Sequence, residues 1–268
     1  MTTTDNRATD VAHLPAGTFA PAPGRAGVIK MVLAQGRIES LLFLRHGEQQ
    51  LLSLVIPVAM LLGLTFLPLE WPMAGSGDPL DRFFPVALAI AATSSGFTGQ
   101  AISLAFDRRY GALKRTGASG VPAWTIIAGK AIAVAATALV QTLLLGAIAL
   151  ALGWRTDLTG ALLGLVTIFI GAAAFTAMGL LMGGTLSSEL VLGLANLIWV
   201  ALIGVTGYVL YVQGLDAASR WDVVPSVAMA SGLTVAFSGG VPWVQWLILA
   251  AWAAAASAAC TRWFRFAG

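Results

Sequence analysis

Long intervals without a single charge divide this chain. Uncharged stretches run over 49–69, 83–106, 131–154, 158–188, 190–215 and 223–261, and about 20 apolar residues suffice for a helix to cross a hydrocarbon core ~30 Å thick. With 58% hydrophobic and 10% charged residues, the chain lies far from soluble domains, where about 25% of residues are charged. It belongs in a membrane. A β-barrel would alternate polarity in ~10-residue segments, whereas Ala131–Leu152 is continuously apolar and rich in Ala and Leu.

The pattern predicts an all-α integral membrane protein with six spans, at about 49–69, 83–106, 122–152, 158–186, 190–212 and 241–262. The stretch 223–261 is too long for one crossing and too short for two with a turn. Pro225, Gly232, Gly239, Gly240 and Pro242 interrupt it. The segment 213–240 is therefore expected to be irregular and to lie outside, with short half-buried helices around Leu215–Trp221 and Pro225–Leu233; such backbone needs cover from protein or water. Pro57 is expected to kink the first span, and Pro122 suits the start of the third.

Orientation follows from Lys and Arg. With both termini inside, Arg7, Arg25, Lys30, Arg37, Arg45, Arg108, Arg109, Lys114, Arg115, Lys130, Arg262 and Arg265 face the cytoplasm, and only Arg82, Arg155 and Arg220 face out. The net charge of +3 then reflects orientation and attraction to anionic membrane lipid. It is no argument for nucleic-acid binding. Residues 1–27, rich in Thr, Ala, Pro and Gly, lack the apolar core of a signal peptide and read as a disordered cytoplasmic tail. The single cysteine, Cys260, excludes an internal disulfide or a cysteine metal cluster and reads as a packing residue.

Residues 28–47 place Lys30, Arg37 and Arg45 among Ile29, Val32, Leu33, Leu41, Leu42 and Leu44. This is an amphipathic helix lying along the inner interface, either a lipid anchor or a lever that also touches a cytoplasmic partner. Lys130, about two turns inside the third span, can snorkel to the interface as an anchor or pair with Asp107. Gly160/Gly164 and Gly179/Gly183 permit close helix approach, within one subunit, at a dimer interface or along a pore. Trp154, Trp199, Trp221, Trp243, Trp246 and Trp263 fall near predicted helix ends, as an interfacial belt would.

The predicted helix centres hold no ionisable group, with Asp157, Asp216 and Asp222 placed outside and Glu189 in a loop, so an ion-coupled transporter lacks an obvious coupling carboxylate. His13 and His46 lie in the tail and at the interface, and neither a zinc site nor a serine dyad can be assembled from them. No catalytic residue and no metal ligand is assigned. A phosphate-binding loop is also missing, because Trp124 and Ala131 flank Gly129-Lys130 where glycine and Ser or Thr are required.

The densest charge lies at Asp107-Arg108-Arg109-Tyr110-Gly111-Ala112-Leu113-Lys114-Arg115. Continued through Thr116-Gly117-Ala118, Pro122-Ala123-Trp124 and Gly129-Lys130, it resembles the segment after the second helix in permeases of the ABC-2 type. The family's pattern is an acidic-Arg-x-x-Gly-Thr-Leu run, then basic and small residues, a Pro and a Gly-Lys; here Ala112 stands where Thr is frequent. The order of an interfacial helix, six spans and a basic-aromatic end, Arg262-Trp263-Phe264-Arg265-Phe266, is similar to that family too. Val224-Pro225-Ser226 and Gly239-Gly240-Val241-Pro242-Trp243 look like its actinobacterial drug-exporter branch, similar to daunorubicin-resistance permeases.

The resemblance implies a transmembrane subunit of a bacterial plasma-membrane exporter for a drug, lipid or envelope precursor. It implies pairing with an identical or related permease and docking of a separately encoded ABC ATPase. ATP and Mg2+ would sit on that partner, and this chain would bind no cofactor and be no enzyme by itself. In this reading Asp107–Arg115 is the coupling helix: Tyr110 and Leu113 are apolar anchors, Asp107, Arg108, Arg109, Lys114 and Arg115 charged contacts, and Gly111 the turn. Lys30, Arg37, Arg45 and Lys130 are secondary interfacial contacts. An ion-coupled secondary transporter and, further off, a membrane enzyme or accessory protein are the competing classes.

Overall fold

The computed structural model describes residues 27–45, 47–66, 78–118, 123–216 and 219–263. All regular structure among them is helical: α1 (Val28–Arg45), α2 (Gly47–Phe66), α3 (Pro79–Thr93), a π-helical turn (Ser94–Gly99), α4 (Gln100–Arg109), α5 (Ala112–Ala118), α6 (Ala123–Ala151), α7 (Leu158–Thr185), α8 (Ser188–Val212), a 3-10 turn (Arg220–Val223), α9 (Pro225–Phe237) and α10 (Trp243–Trp263). Four of these, α6, α7, α8 and α10, are long and apolar enough to cross a membrane; the apolar stretches Ser53–Phe66 of α2 and α9 are shorter. The amino-terminal tail and the first outer loop lie outside the described residues, as do His13, His46, Pro122, Phe264, Arg265 and Phe266.

Helix α7 is the axis of the molecule. Over half of its apolar window is buried (56%), against 17% for α8, and it packs on α10, α9, α4, α3, α6 and the π-turn. Its glycines make this possible. A Cβ on Gly183 would meet the Ala101 carbonyl of α4, and one on Gly179 the Phe97 and Gly96 carbonyls of the π-turn. Backbone therefore lies on backbone, as small residues allow in lipid, while Gly164 sits under the Phe237 ring of α9. The glycine pairs are used within the subunit.

Helices α3 and α4 continue through the π-turn, so that residues 79–109 form one rod. Asp78 caps its start, its Oδ1 accepting from Leu80 N–H at 2.9 Å, and Pro79 follows at the first helical position. Every residue from Phe83 to Thr93 is buried. Within the π-turn Ser95 Oγ donates to Gln141 Oε1 of α6 at 3.2 Å, and Gln141 Nε2 reaches Ser53 O of α2 at 3.4 Å.

Residues 213–240 hold short helices, as expected, but α9 is longer and more deeply buried than the half-buried Pro225–Leu233 of the sequence reading. After Gly214 (φ 76) and the 3-10 turn, α9 runs for 13 residues, and Val227, Ala228, Met229, Ala230 and Leu233 are fully buried. Pro225 starts this helix and Gly239, at φ 84, follows its end; the residues read as breakers are its boundaries. Asp222 is buried, 1% exposed. Trp154 also departs from the expected belt. It is buried against Phe84 and Phe237, with ring centroids 4.5 and 5.0 Å away.

Candidate functional site: a charged turn latched to four helices

Helix α4 ends at Arg109 because the chain reverses. Tyr110 caps it with φ −87 and ψ 6, its N–H donating to Phe106 O. Gly111 then takes φ 70, a left-handed conformation that other residues adopt only at a cost. The chain re-forms a helix at once, with Arg115 N–H donating to Gly111 O at 3.1 Å and Arg115 Nη1 to Tyr110 O at 3.0 Å. The charged segment is thus a helix end, a two-residue turn and the short α5.

Successive residues on a helix point about 100° apart, and Asp107, Arg108 and Arg109 accordingly reach different neighbours. Asp107 Oδ2 accepts from Lys130 Nζ of α6 at 2.8 Å. The same ammonium donates to Glu39 Oε2 of α1 at 3.1 Å and Ser103 Oγ of α4 at 3.3 Å. Lys130 is 2% exposed, so it does not snorkel. Its charge is tolerable there because two carboxylates and a hydroxyl satisfy all three of its donors.

Arg108, 5% exposed, turns inward. Its Nη1 donates to Gly183 O at 2.8 Å and Leu186 O at 2.9 Å, carbonyls at the C-terminal end of α7 that have no partner within their own helix. A cation at this end also meets the negative pole of the helix dipole. Arg109 reaches the start of α8, donating to Glu189 Oε1 at 2.6 Å and Ser188 Oγ at 3.2 Å. This pair is open to solvent, with side chains 49% and 67% exposed, and contributes little on its own.

Two residues assigned as contacts for an external partner are thereby corrected. Arg108 is spent on α7. Leu113 is buried among Leu104, Ile126, Leu180 and Cys260, because α5 folds back on the bundle with its apolar side down. Facing out with the solvent-open Arg109 are Tyr110, 65% exposed and stacked on Phe106 at 5.9 Å, and Lys114 and Arg115. Among the secondary residues Lys30 and Arg37 are exposed on α1; Arg45 closes α1, its side chain lying outside the described residues.

Helix α1 is more than an interfacial float. Gly36 faces Ile132 of α6, and Gly129 of α6 faces Gln35 of α1, so the two helices lie in close contact with the Glu39–Lys130 pair between them. Glu39 is a functional candidate that the sequence reading missed, although it is the sole carboxylate of α1. Asp222 is another. Its Oδ1 accepts from Ser231 Oγ at 3.1 Å, and its Oδ2 from Gln245 Nε2 at 2.9 Å and Ser219 N–H at 3.3 Å. The signal was Ser219-x-x-Asp222, a capping-box spacing.

The sequence pattern of ABC-2 type transporters matches residues 32–238, from within α1 to the end of α9. The chain belongs to the ABC-2 type transporter family. No curated protein and no solved structure matches it. As an ABC-2 type chain it is a multi-pass transmembrane subunit of an ABC-type transporter. The matched region takes in the whole latch, Glu39, Asp107–Arg109, Lys130 and Glu189, and leaves α10 outside.

Proposed function

We propose that this chain is the permease subunit of an ATP-driven exporter, and that the turn at Tyr110-Gly111 with α5 is where a separately encoded ATPase grips it. One observation carries the reading: Asp107, Arg108 and Arg109 fasten the end of α4 to α6 and α1, to α7 and to α8, while Tyr110, Lys114 and Arg115 face out. A partner that moves the turn therefore moves four helices together. The buried Lys130 and Arg108 contacts resist separation, so displacement passes to α6, α1 and α7 as rigid-body rotation rather than local bending, with the exposed Arg109–Glu189 pair steering α8.

In this reading the protein has six spans, α2, the α3–α4 rod, α6, α7, α8 and α10, with both termini in the cytoplasm of a bacterial cell. Two permeases, identical or related, face each other, and two ATPases supply ATP and Mg2+. The cargo is amphipathic or lipid-like, in keeping with the few fixed charges within the apolar helices and with the resemblance to drug exporters of the daunorubicin-resistance kind.

Co-expression with the ATPase, with a photo-crosslinking amino acid in place of Tyr110, tests the grip. Cross-links to the ATPase are expected at this position and not from Trp243 at the other end of the bundle. Cross-links from both or neither, or ATP turnover by the purified chain alone, would overturn the assignment. Asp222 gives an ion-coupled transporter its one foothold, since a buried carboxylate in a membrane protein is costly and often functional. Transport that survives ATP depletion and stops with the ion gradient would favour it.

A further inference from the structure

A cavity of about 420 Å³ opens between α6 and α10, within the size range of ligand pockets. Ile127 and Ala131 of α6, Ala177 of α7, Leu113 of α5 and Ser257 and Cys260 of α10 are among the residues that line it. Three of these helices are of membrane-crossing length and composition, so the medium at the mouth is lipid. Leu113 ties the slot to the charged turn and hence to the cytoplasmic end of the bundle, where the bilayer passes from acyl chains to headgroups.

The charge around the slot selects among lipids. Lys114 follows Leu113 and Arg262 follows Thr261, which also lines the slot, and both cations are exposed. The carboxylates nearest the lining ammonium of Lys130, Glu39 and Asp107, are bound to it and do not line the slot. An apolar slot with exposed cations next in sequence to two of its lining residues fits a molecule with an acyl chain and a phosphate.

We propose that the cleft between α6 and α10 binds an anionic phospholipid of the cytoplasmic leaflet, one acyl chain lying in the slot and the phosphate at Arg262 and Lys114. A lipid seated there packs against Leu113 and so bears directly on α5. The site does not depend on the identity of the cargo; it rests on the orientation proposed above, with the charged turn at the cytoplasmic face, and shares Lys114 with the docking face.

Cys260, the one cysteine of the chain, lines the slot and reports its occupancy. The full-length protein is purified in detergent and treated with N-ethylmaleimide while phosphatidylglycerol or phosphatidylcholine of the same acyl composition is titrated in. Phosphatidylglycerol is expected to slow alkylation several-fold at levels where phosphatidylcholine does little. Arg262→Gln, on an exposed position, is expected to narrow the difference between the lipids. Ala177→Phe, which fills the slot, should make alkylation insensitive to both and lower the phosphatidylglycerol that co-purifies. Equal protection by the two lipids, protection by neither, or an unchanged lipid preference in Arg262→Gln overturns the proposal. Protection that follows protein concentration instead of lipid places a second copy of the chain on this face and overturns it equally.

Discussion

The two ends of the bundle are held together by different chemistry. At the inner end the fastening is ionic: Lys130 with Asp107 and Glu39, Arg108 with the end of α7, Arg109 with Glu189. At the other end a buried carboxylate, Asp222, is held by a hydroxyl, an amide and a backbone N–H, beside the packed rings of Phe84, Trp154 and Phe237. Ionic contacts keep direction and reach when a helix end is pulled, whereas ring packing holds shape without transmitting a particular displacement. The inner end is thus tied by charge, and the outer end by hydrogen bonds and ring packing around α9.

Removing one partner separates the two kinds of fastening. Lys130→Met leaves two carboxylates unpaired at the inner end and is expected to cost about 3–5 kcal/mol, read as a large loss of thermal stability in detergent. Combining it with Asp107→Asn and Glu39→Gln should recover much of that loss, because the unpaired charges are then gone; no recovery would mean that the ammonium matters for packing alone. Asp222→Ala strips the acceptor from three donors and is expected to cost about 1–3 kcal/mol, with no effect of the inner-end variants on its size, since distant sites add.

The smallest effect belongs to the exposed pair. Glu189→Gln should change stability little, and that change should fade with salt as screening shortens to ~3 Å at 1 M. A loss as large as that of Lys130→Met would show that the pair carries the α4–α8 contact by itself. Thermal melts at low and high salt distinguish the two cases.

Much of the architecture was legible because the sequence states it locally. The uncharged run 131–154 becomes the continuous helix α6, and the run 158–188 becomes α7; an apolar stretch of this length in lipid has little alternative. Gly111 and the charges around it announced a turn. The failures are non-local or directional. Whether Arg108 faces a partner or the interior depends on which helix lies beside α4, and the carbonyls it binds are 75 and 78 residues away. The partner Glu39 lies 91 residues from Lys130. In α9 the start at Pro225 was legible and only the extent was not: the helix runs on past Leu233 to Phe237, before Gly239. Gly232 inside that helix lets it lie against Thr167 and Gln245, which is why a helix so rich in small residues is buried.

The central claim is that the outward residues of the turn transmit the ATPase's work while the latch behind them keeps the fold. The direct measurement is permease-dependent ATP hydrolysis by the purified complex carrying Tyr110→Ala with Lys114→Glu, alongside its thermal stability. The account predicts a melting temperature equal to that of the unaltered complex and a hydrolysis rate reduced to that of the isolated ATPase. Unaltered permease-dependent hydrolysis in a folded double variant would contradict it.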